Sequence, residues 1–136
     1  MTYKSTKTEQ INKRTANNKI RGMKLLTCKI REKLPGLGDQ DGKGGKAVAY
    51  AKCFTPDGSF TWFITEGSPV KDKENNIVDY ILFGLVDGHC KELGYFRLSE
   101  LESVHGMMGL PVERDLYWKP KTLHEIAPEL FEEESK

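Results

Sequence analysis

The sequence predicts an α+β domain whose core is an antiparallel four- to five-stranded sheet built of hairpins, with short helices mainly on one face. Residues 80–86 form an apolar run broken by a single glycine, which is typical of a strand buried on both faces. Residues 47–54 and 59–66 alternate with period two, and the Thr-Pro-Asp-Gly between them predicts a turn. Residues 99–102 and 122–125 both read Ser/Thr-x-x-Glu, a pattern that predicts the start of a helix.

The strands are expected, in chain order, near residues 47–54, 59–66, 77–86 and 92–98, with a fifth, edge strand near 112–118. Asp87-Gly88 predicts the hairpin turn between the third and fourth strands, because glycine readily adopts the positive φ of such turns. The polar residues 67–76 are expected to form a loop between the second and third strands.

Signals for short helices flank the predicted sheet. Thr27 is expected to cap a helix that runs through Lys33, and a last helix is expected near residues 123–125. Residues 36–46 are rich in glycine and predict a flexible loop. They do not match a phosphate-binding loop, because the Gly-Lys pair is not followed by Ser or Thr and no apolar strand leads into it.

The first 22 residues differ in composition from the rest of the chain. They are polar, so we expect a flexible basic N-terminal extension over residues 1–22 and a single α+β domain over residues 23–136. Residues 1–46 contain twelve Lys or Arg and four Asp or Glu, whereas residues 47–136 contain nine and sixteen. A basic arm can bind the phosphates of nucleic acid, fold back on the acidic body of the chain, or remain solvated. We expect a mostly free arm, because it lacks the apolar anchors that would fix a docked path. The cations that would contact nucleic acid are Lys4, Lys7, Lys13, Arg14, Lys19 and Arg21.

Composition also excludes several classes of protein. The three cysteines include no CxxC pair, which argues against a disulfide framework and favours a reducing, cytoplasmic location. No apolar stretch is long enough to span a membrane. The three histidines lack the spacing of a zinc site, and no nucleophile–base pattern occurs. We therefore expect no metal, no cofactor and no enzymatic activity.

Two polar clusters are the candidate binding residues. One is the central turn, with Asp87, His89 and Glu92. The other is the acid–base triplet Glu113, Arg114 and Asp115, in which an arginine between two carboxylates is typical of an ion pair. If the chain is an enzyme, the central turn predicts metal-assisted hydrolysis, because it gathers two carboxylates and an imidazole.

Long stretches of the chain resemble a bacterial family, domain of unknown function 2958. They are MKLLT at 23–27, REKLPGL at 31–37, FTPDGSFTWF at 54–63, LFGLVDGHCKELGYFRLSELESV at 82–104 and LPVERDLYW at 110–118. Together they cover nearly all of residues 23–120, and residues 1–22 lie outside the resemblance. The resemblance implies carriage on plasmids, conjugative elements and phages, beside anti-restriction and transfer genes. It implies no activity.

We therefore expect a small, non-enzymatic accessory protein of a mobile genetic element that acts by binding a host protein. The partner class that we expect is a defence nuclease, inhibited in the manner of an anti-restriction or anti-CRISPR protein, since the acidic body of the chain could mimic nucleic acid. One alternative is a nucleic-acid-binding accessory protein that uses the basic arm. A second alternative is a metal-assisted hydrolase that uses the turn of Asp87, His89 and Glu92.

Overall fold

A computed structural model describes residues 7–131 and confirms the predicted α+β class. The strands are β1 (Val48–Ala49), β2 (Ala51–Phe54), β3 (Thr61–Lys71), β4 (Ile77–Asp87), β5 (Lys91–Arg97), β6 (Glu113–Arg114) and β7 (Lys121–Thr122). The main sheet is antiparallel and has five strands in the order β5-β4-β3-β2-β6, and a second sheet pairs β1 with β7. The helices are α1 (Lys7–Arg21), α2 (Cys28–Lys33), α3 (Leu98–Ser103) and α4 (Leu123–Ile126), with 3₁₀ turns at Gly44–Lys46 and Pro128–Leu130.

The hairpin of β3 and β4 is the centre of the sheet. Its pairing runs from Thr61 opposite Asp87 to Lys71 opposite Ile77, with a bulge after Ile64. The prediction of a loop over residues 67–76 is therefore wrong for residues 67–71. The side chains of residues 67–71 are mostly polar, but the backbone of the long apolar strand β4 pairs with the backbone of these residues. Backbone hydrogen bonding of this kind does not depend on which side chains the residues carry.

Two apolar clusters cover the two faces of the sheet. The larger one joins Trp62, Ile64 and Leu82 to side chains of α3 and of the segment before α2. The smaller one joins Phe63 and Leu85 to α4 and the final 3₁₀ turn. Alternate residues of the central strands thus enter different clusters, as the period-two pattern predicts.

The predicted turns and caps form in part. Thr27 and Thr122 each accept a hydrogen bond from the backbone amide three residues later, which confirms both N-caps. Gly88 does not have the positive φ that was expected of it. Gly88 instead leaves room for Phe60, because a Cβ there would lie 2.2 Å from the Phe60 ring and the ring would have to shift.

The predicted capping box that begins at Ser99 is wrong. Helix α3 begins one residue earlier, and its N-cap Arg97 makes no side-chain cap. Ser99 instead donates its hydroxyl to Asp79 Oδ2 at 2.6 Å and its amide to Asp79 Oδ1 at 3.0 Å. Burial raises the pKa of Asp79, but these bonds and the Tyr80 amide outweigh it and hold the pKa below its ordinary value.

The N-terminal segment differs from the free arm that its composition predicts. Residues 7–21 form helix α1, which packs on α3 through polar contacts. Asn17 is buried and donates to the carbonyl oxygens of Glu102 and Val104, at 3.0 and 3.3 Å. The expectation assumed that a docked helix needs apolar anchors, whereas buried polar groups can anchor it when each finds a partner. Residues 1–6 lie outside the described part of the chain.

The glycine-rich residues 36–46 are held by two buried polar side chains. Glu66 accepts the amides of Gly38 and Gln40 at 3.0 and 2.6 Å. The Gln40 side chain donates to the carbonyl oxygens of Val48 and Thr65, and accepts the Val48 amide. The distant side chain of Glu66 thus satisfies backbone amides of the segment, and the Gln40 side chain ties the segment to the backbone of Val48 and Thr65.

Candidate functional site

The edge of the sheet where β6 pairs with β2 borders an open cleft of about 550 Å³. One wall is the turn between β2 and β3, and the other is the segment from Glu113 to Tyr117. The predicted fifth strand is shorter than expected, because only two of its residues pair with β2. The rest of residues 112–118 leaves the sheet and forms the wall of the cleft, so the triplet Glu113, Arg114 and Asp115 lines it.

The charged residues of this cleft come from β2 and from the segment that begins with β6. Asp115 lies 3.8 Å from Lys52 and accepts the Tyr117 amide at 2.9 Å, so its carboxylate is engaged. Arg114 is opposite Cys53 across the strand pair. Burial raises the pKa of the Cys53 thiol to about 12, so this cysteine stays protonated near neutral pH. Its thiol is thus not a nucleophile for the cleft.

A second feature beside the cleft is the methionine loop, which we define as residues 105–111. His105 and Pro111 bridge its two ends. Asp57, in the turn that walls the cleft, accepts the amides of Met108 and Leu110 at 2.7 and 3.3 Å. Met107 and Met108 are 98% and 83% exposed. The loop therefore has an ordered backbone and presents two large apolar side chains to solvent.

The central turn reaches the same region through an aromatic contact. The ring of His89 meets that of Phe60, which lines the cleft, edge-on at a centroid distance of 5.5 Å. The carboxylate of Glu92 accepts the thiol of Cys90 at 3.1 Å, and among residues 7–131 no hydrogen bond joins Glu92 to His89. Asp87 pairs with Thr61, another residue of the cleft wall.

The structure places the two predicted polar clusters at the same end of the sheet but does not bring them together. Asp87 is opposite Thr61, and Thr61 is opposite Phe54. Phe54 is in turn opposite Glu113. Asp87 and Glu113 are therefore three strand spacings apart, which is about 14 Å at ~4.8 Å per spacing.

Neither a metal cluster nor a membrane-spanning helix occurs in the part of the chain that the structure describes. Within residues 7–131, no three side chains of His, Cys, Asp or Glu are grouped so as to hold a metal ion. Over the same residues, no helix has the length and apolar character needed to cross a bilayer.

Comparison with known proteins identifies the family. The model of the family described as "Protein of unknown function (DUF2958)" matches residues 25–127, most of the chain. This chain belongs to the DUF2958 family. Neither the comparison with curated proteins nor that with solved structures finds a match. The DUF2958 match contains the seven strands described above, the methionine loop and every residue that lines the cleft except Met23, whereas α1 precedes it.

The cations of the predicted nucleic-acid arm lie in or before α1, outside the DUF2958 match. Arg14 donates to Glu102 Oε1 at 3.0 Å. Arg21 is buried, donates to the carbonyl oxygen of Val112, and has its pKa lowered by burial. These two cations are engaged within the fold and are poorly placed to contact nucleic acid. Lys7, Lys13 and Lys19 are exposed, and Lys4 lies outside the described residues.

The methionine loop is the part of the site that sequence reasoning missed. Gly106 and Gly109 enclose Met107 and Met108 in the sequence. A Cβ at Gly106 would lie 1.7 Å from Asp57 Oδ1, and Gly109 has a φ of +83°. The sequence of this DUF2958 chain could have indicated the loop, because it places two adjacent methionines between two glycines. A tight turn at the glycines directs the side chains of the residues between them towards solvent.

Proposed function

We propose that this chain is a non-enzymatic accessory protein that binds a partner protein through the methionine loop and the adjacent cleft. The observation that supports this is the exposure of Met107 and Met108 on a loop whose backbone is held by Asp57. Exposed apolar groups cost free energy unless something covers them, and methionine adapts to irregular partner surfaces. Ordering the loop before binding lowers the entropy that association would otherwise cost.

The rim of this surface is suited to a protein partner. Leu110 of the methionine loop and Leu116 of the cleft wall are also exposed, at 44% and 59%. The cleft adds charges of both signs, from Lys52, Glu113 and Asp115. An apolar centre with a mixed polar rim is the usual composition of a specific protein interface. That the partner is a host protein, and in particular a defence nuclease, remains the prediction that the family resemblance suggests.

Replacement of both methionines tests the proposal. Tagged protein is incubated with host lysate, with and without nuclease treatment, and captured partners are compared for wild type and for Met107→Ser/Met108→Ser. We expect a partner that survives nuclease and is captured by wild type but not by the variant. Thermal melting verifies that the exposed substitutions leave the fold intact.

A control variant removes two exposed apolar side chains elsewhere. Ile77 and Val78 are both 49% exposed at the start of β4, at the other end of the sheet from the methionine loop. Ile77→Ser/Val78→Ser should capture the same partner as wild type. Equal capture by the methionine variant, or a partner that disappears after nuclease treatment, would show that the proposal is wrong.

A further inference from the structure

A small cleft beside helix α2 collects cationic side chains from separate parts of the chain. It has a volume of about 180 Å³. Its lining includes Lys29 and Lys33, one turn apart on α2, and Arg114 of β6. The rings of Tyr50 and Trp118 complete the lining together with apolar groups.

These three cations have no carboxylate partner among residues 7–131. The ion pairs found there use Arg14, Lys52, Lys91 and Arg97 instead. Asp115 also lines the cleft, but its carboxylate is turned to Lys52 and to the Tyr117 amide. The Nε atom of Arg114 is buried and makes no hydrogen bond. A cleft with uncompensated positive charge is suited to an anion.

The surroundings of the cleft extend this character. Lys119 and Lys121 are exposed next to it in the chain, and the Lys121 ammonium lies 5.1 Å from the centre of the Trp118 ring. Tyr117 is 91% exposed. Single-stranded nucleic acid is bound by cations that neutralise its phosphates and by aromatic rings that stack on its bases. This surface has both kinds of side chain, with aromatic rings between the cations.

We propose that the α2 cleft, defined by Lys29, Lys33, Arg114 and Trp118, binds single-stranded nucleic acid, with phosphates at the three cations and a base stacked on Tyr117. This inference concerns a second class of ligand, and its Arg114 and Tyr117 also line the larger cleft of the protein-docking surface. The Lys29/Lys33 and Met107/Met108 variants, which affect residues of one surface only, therefore test the two proposals separately. It also differs from the predicted arm, because it uses residues within the family match and none of α1. A duplex should bind more weakly, since its bases are stacked on one another and unavailable to a tyrosine ring.

The test is fluorescence anisotropy with a labelled oligothymidylate of about 15 nucleotides, a length within reach of one small domain. Three phosphate contacts predict a slope of log affinity against log salt of about −2, so affinity should fall about 20-fold between about 50 and 200 mM salt. For Lys29→Ala/Lys33→Ala we expect weaker binding and a fall of only about 3-fold over that range. Tyr117→Ser should weaken binding by about 5-fold or more and leave the slope unchanged.

Two control variants separate this cleft from other positive surfaces. Lys71→Ala/Lys73→Ala removes the same charge from exposed positions at the far end of β3, and it should bind like wild type. Lys7→Ala/Lys19→Ala does the same on α1. Absence of wild-type binding at the lower salt, an unaffected Lys29/Lys33 variant, or an equal loss in either control would overturn the inference. Melting curves of all variants show whether a loss reflects unfolding, and the exposed lysines of α2 make unfolding an unexpected result.

Discussion

Replacing Gly84 by alanine should strongly destabilise the sheet. Gly84 is on the central strand β4, opposite Ile64 of β3 and Gly94 of β5. A Cβ at Gly84 would lie 1.8 Å from the carbonyl oxygen of Phe63, far inside the 3.0 Å that real Cβ atoms respect. The obstacle is backbone of the neighbouring strand, so no side-chain rotation can relieve it.

The expected loss in the free energy of unfolding follows from the movement that the alanine methyl group requires of β3 and β4. To accept the methyl group, β3 and β4 must separate locally and weaken their backbone hydrogen bonds, each worth about 1 kcal/mol net. Overpacking of a tight interior adds about 1–3 kcal/mol. We therefore expect Gly84→Ala to lower the free energy of unfolding by about 3 kcal/mol or more, which is a large share of the stability of a small domain.

Gly94 supplies the matched control, because it is the cross-strand partner of Gly84 on β5. A Cβ there would meet no atom within 4 Å. Gly94→Ala should change stability by less than about 0.5 kcal/mol, in the stabilising direction expected when a compatible glycine is replaced. Urea unfolding followed by circular dichroism measures both variants. If Gly84→Ala were as stable as Gly94→Ala, the close approach of β3 and β4 would be refuted.

Three further outcomes are expected. In a double-mutant cycle measured by urea unfolding, Arg14→Ala and Glu102→Ala should couple by about 1 kcal/mol. The control Glu100→Ala, at an exposed position, should show no coupling with Arg14→Ala. If Glu102 showed no coupling either, α1 would not dock as described. The lowered pKa of Asp79 contributes stability that is complete above pH 3.8 and lost as the pH falls through the folded-state pKa. Asp79→Asn should therefore be less stable at neutral pH, and its free energy of unfolding should depend less on pH below 3.8. An unchanged dependence of that free energy on acid pH would contradict this. A thiol reagent should modify the two exposed cysteines quickly and Cys53 only after unfolding. Rapid modification of all three cysteines in the folded protein would contradict the burial of Cys53.

Local patterns predicted the sheet well where one signal was decisive. The apolar run of 80–86 became part of β4, and the alternating residues 51–54 and 61–64 became paired strands, as a period-two pattern predicts. The predicted strand over 47–54 is divided, because residues 48–49 form β1 and pair with β7 instead. The caps at Thr27 and Thr122 were also predictable, since a cap depends on residues three positions apart.

Predictions failed where a distant residue decided the outcome. Ser99 fits a capping box, but Asp79 on β4 accepts its hydroxyl and its amide, and α3 begins elsewhere. Glu102, the other end of that box, instead accepts hydrogen bonds from Arg14 and Asn18 of α1. A sequence pattern cannot show which of several partners a polar group meets, because such competition is settled by tertiary contacts.

The amino-acid sequence by itself determined the α+β class, the family, and most of the strands, since these depend on local periodicity and on long matching stretches. It also identified the triplet Glu113, Arg114 and Asp115. Only the tertiary structure decided that this triplet borders a cleft, that Asp57 holds the methionine loop, and that α2 presents two lysines opposite Arg114. These arrangements join residues tens of positions apart, and chain folding brings such residues together without leaving a local pattern to read.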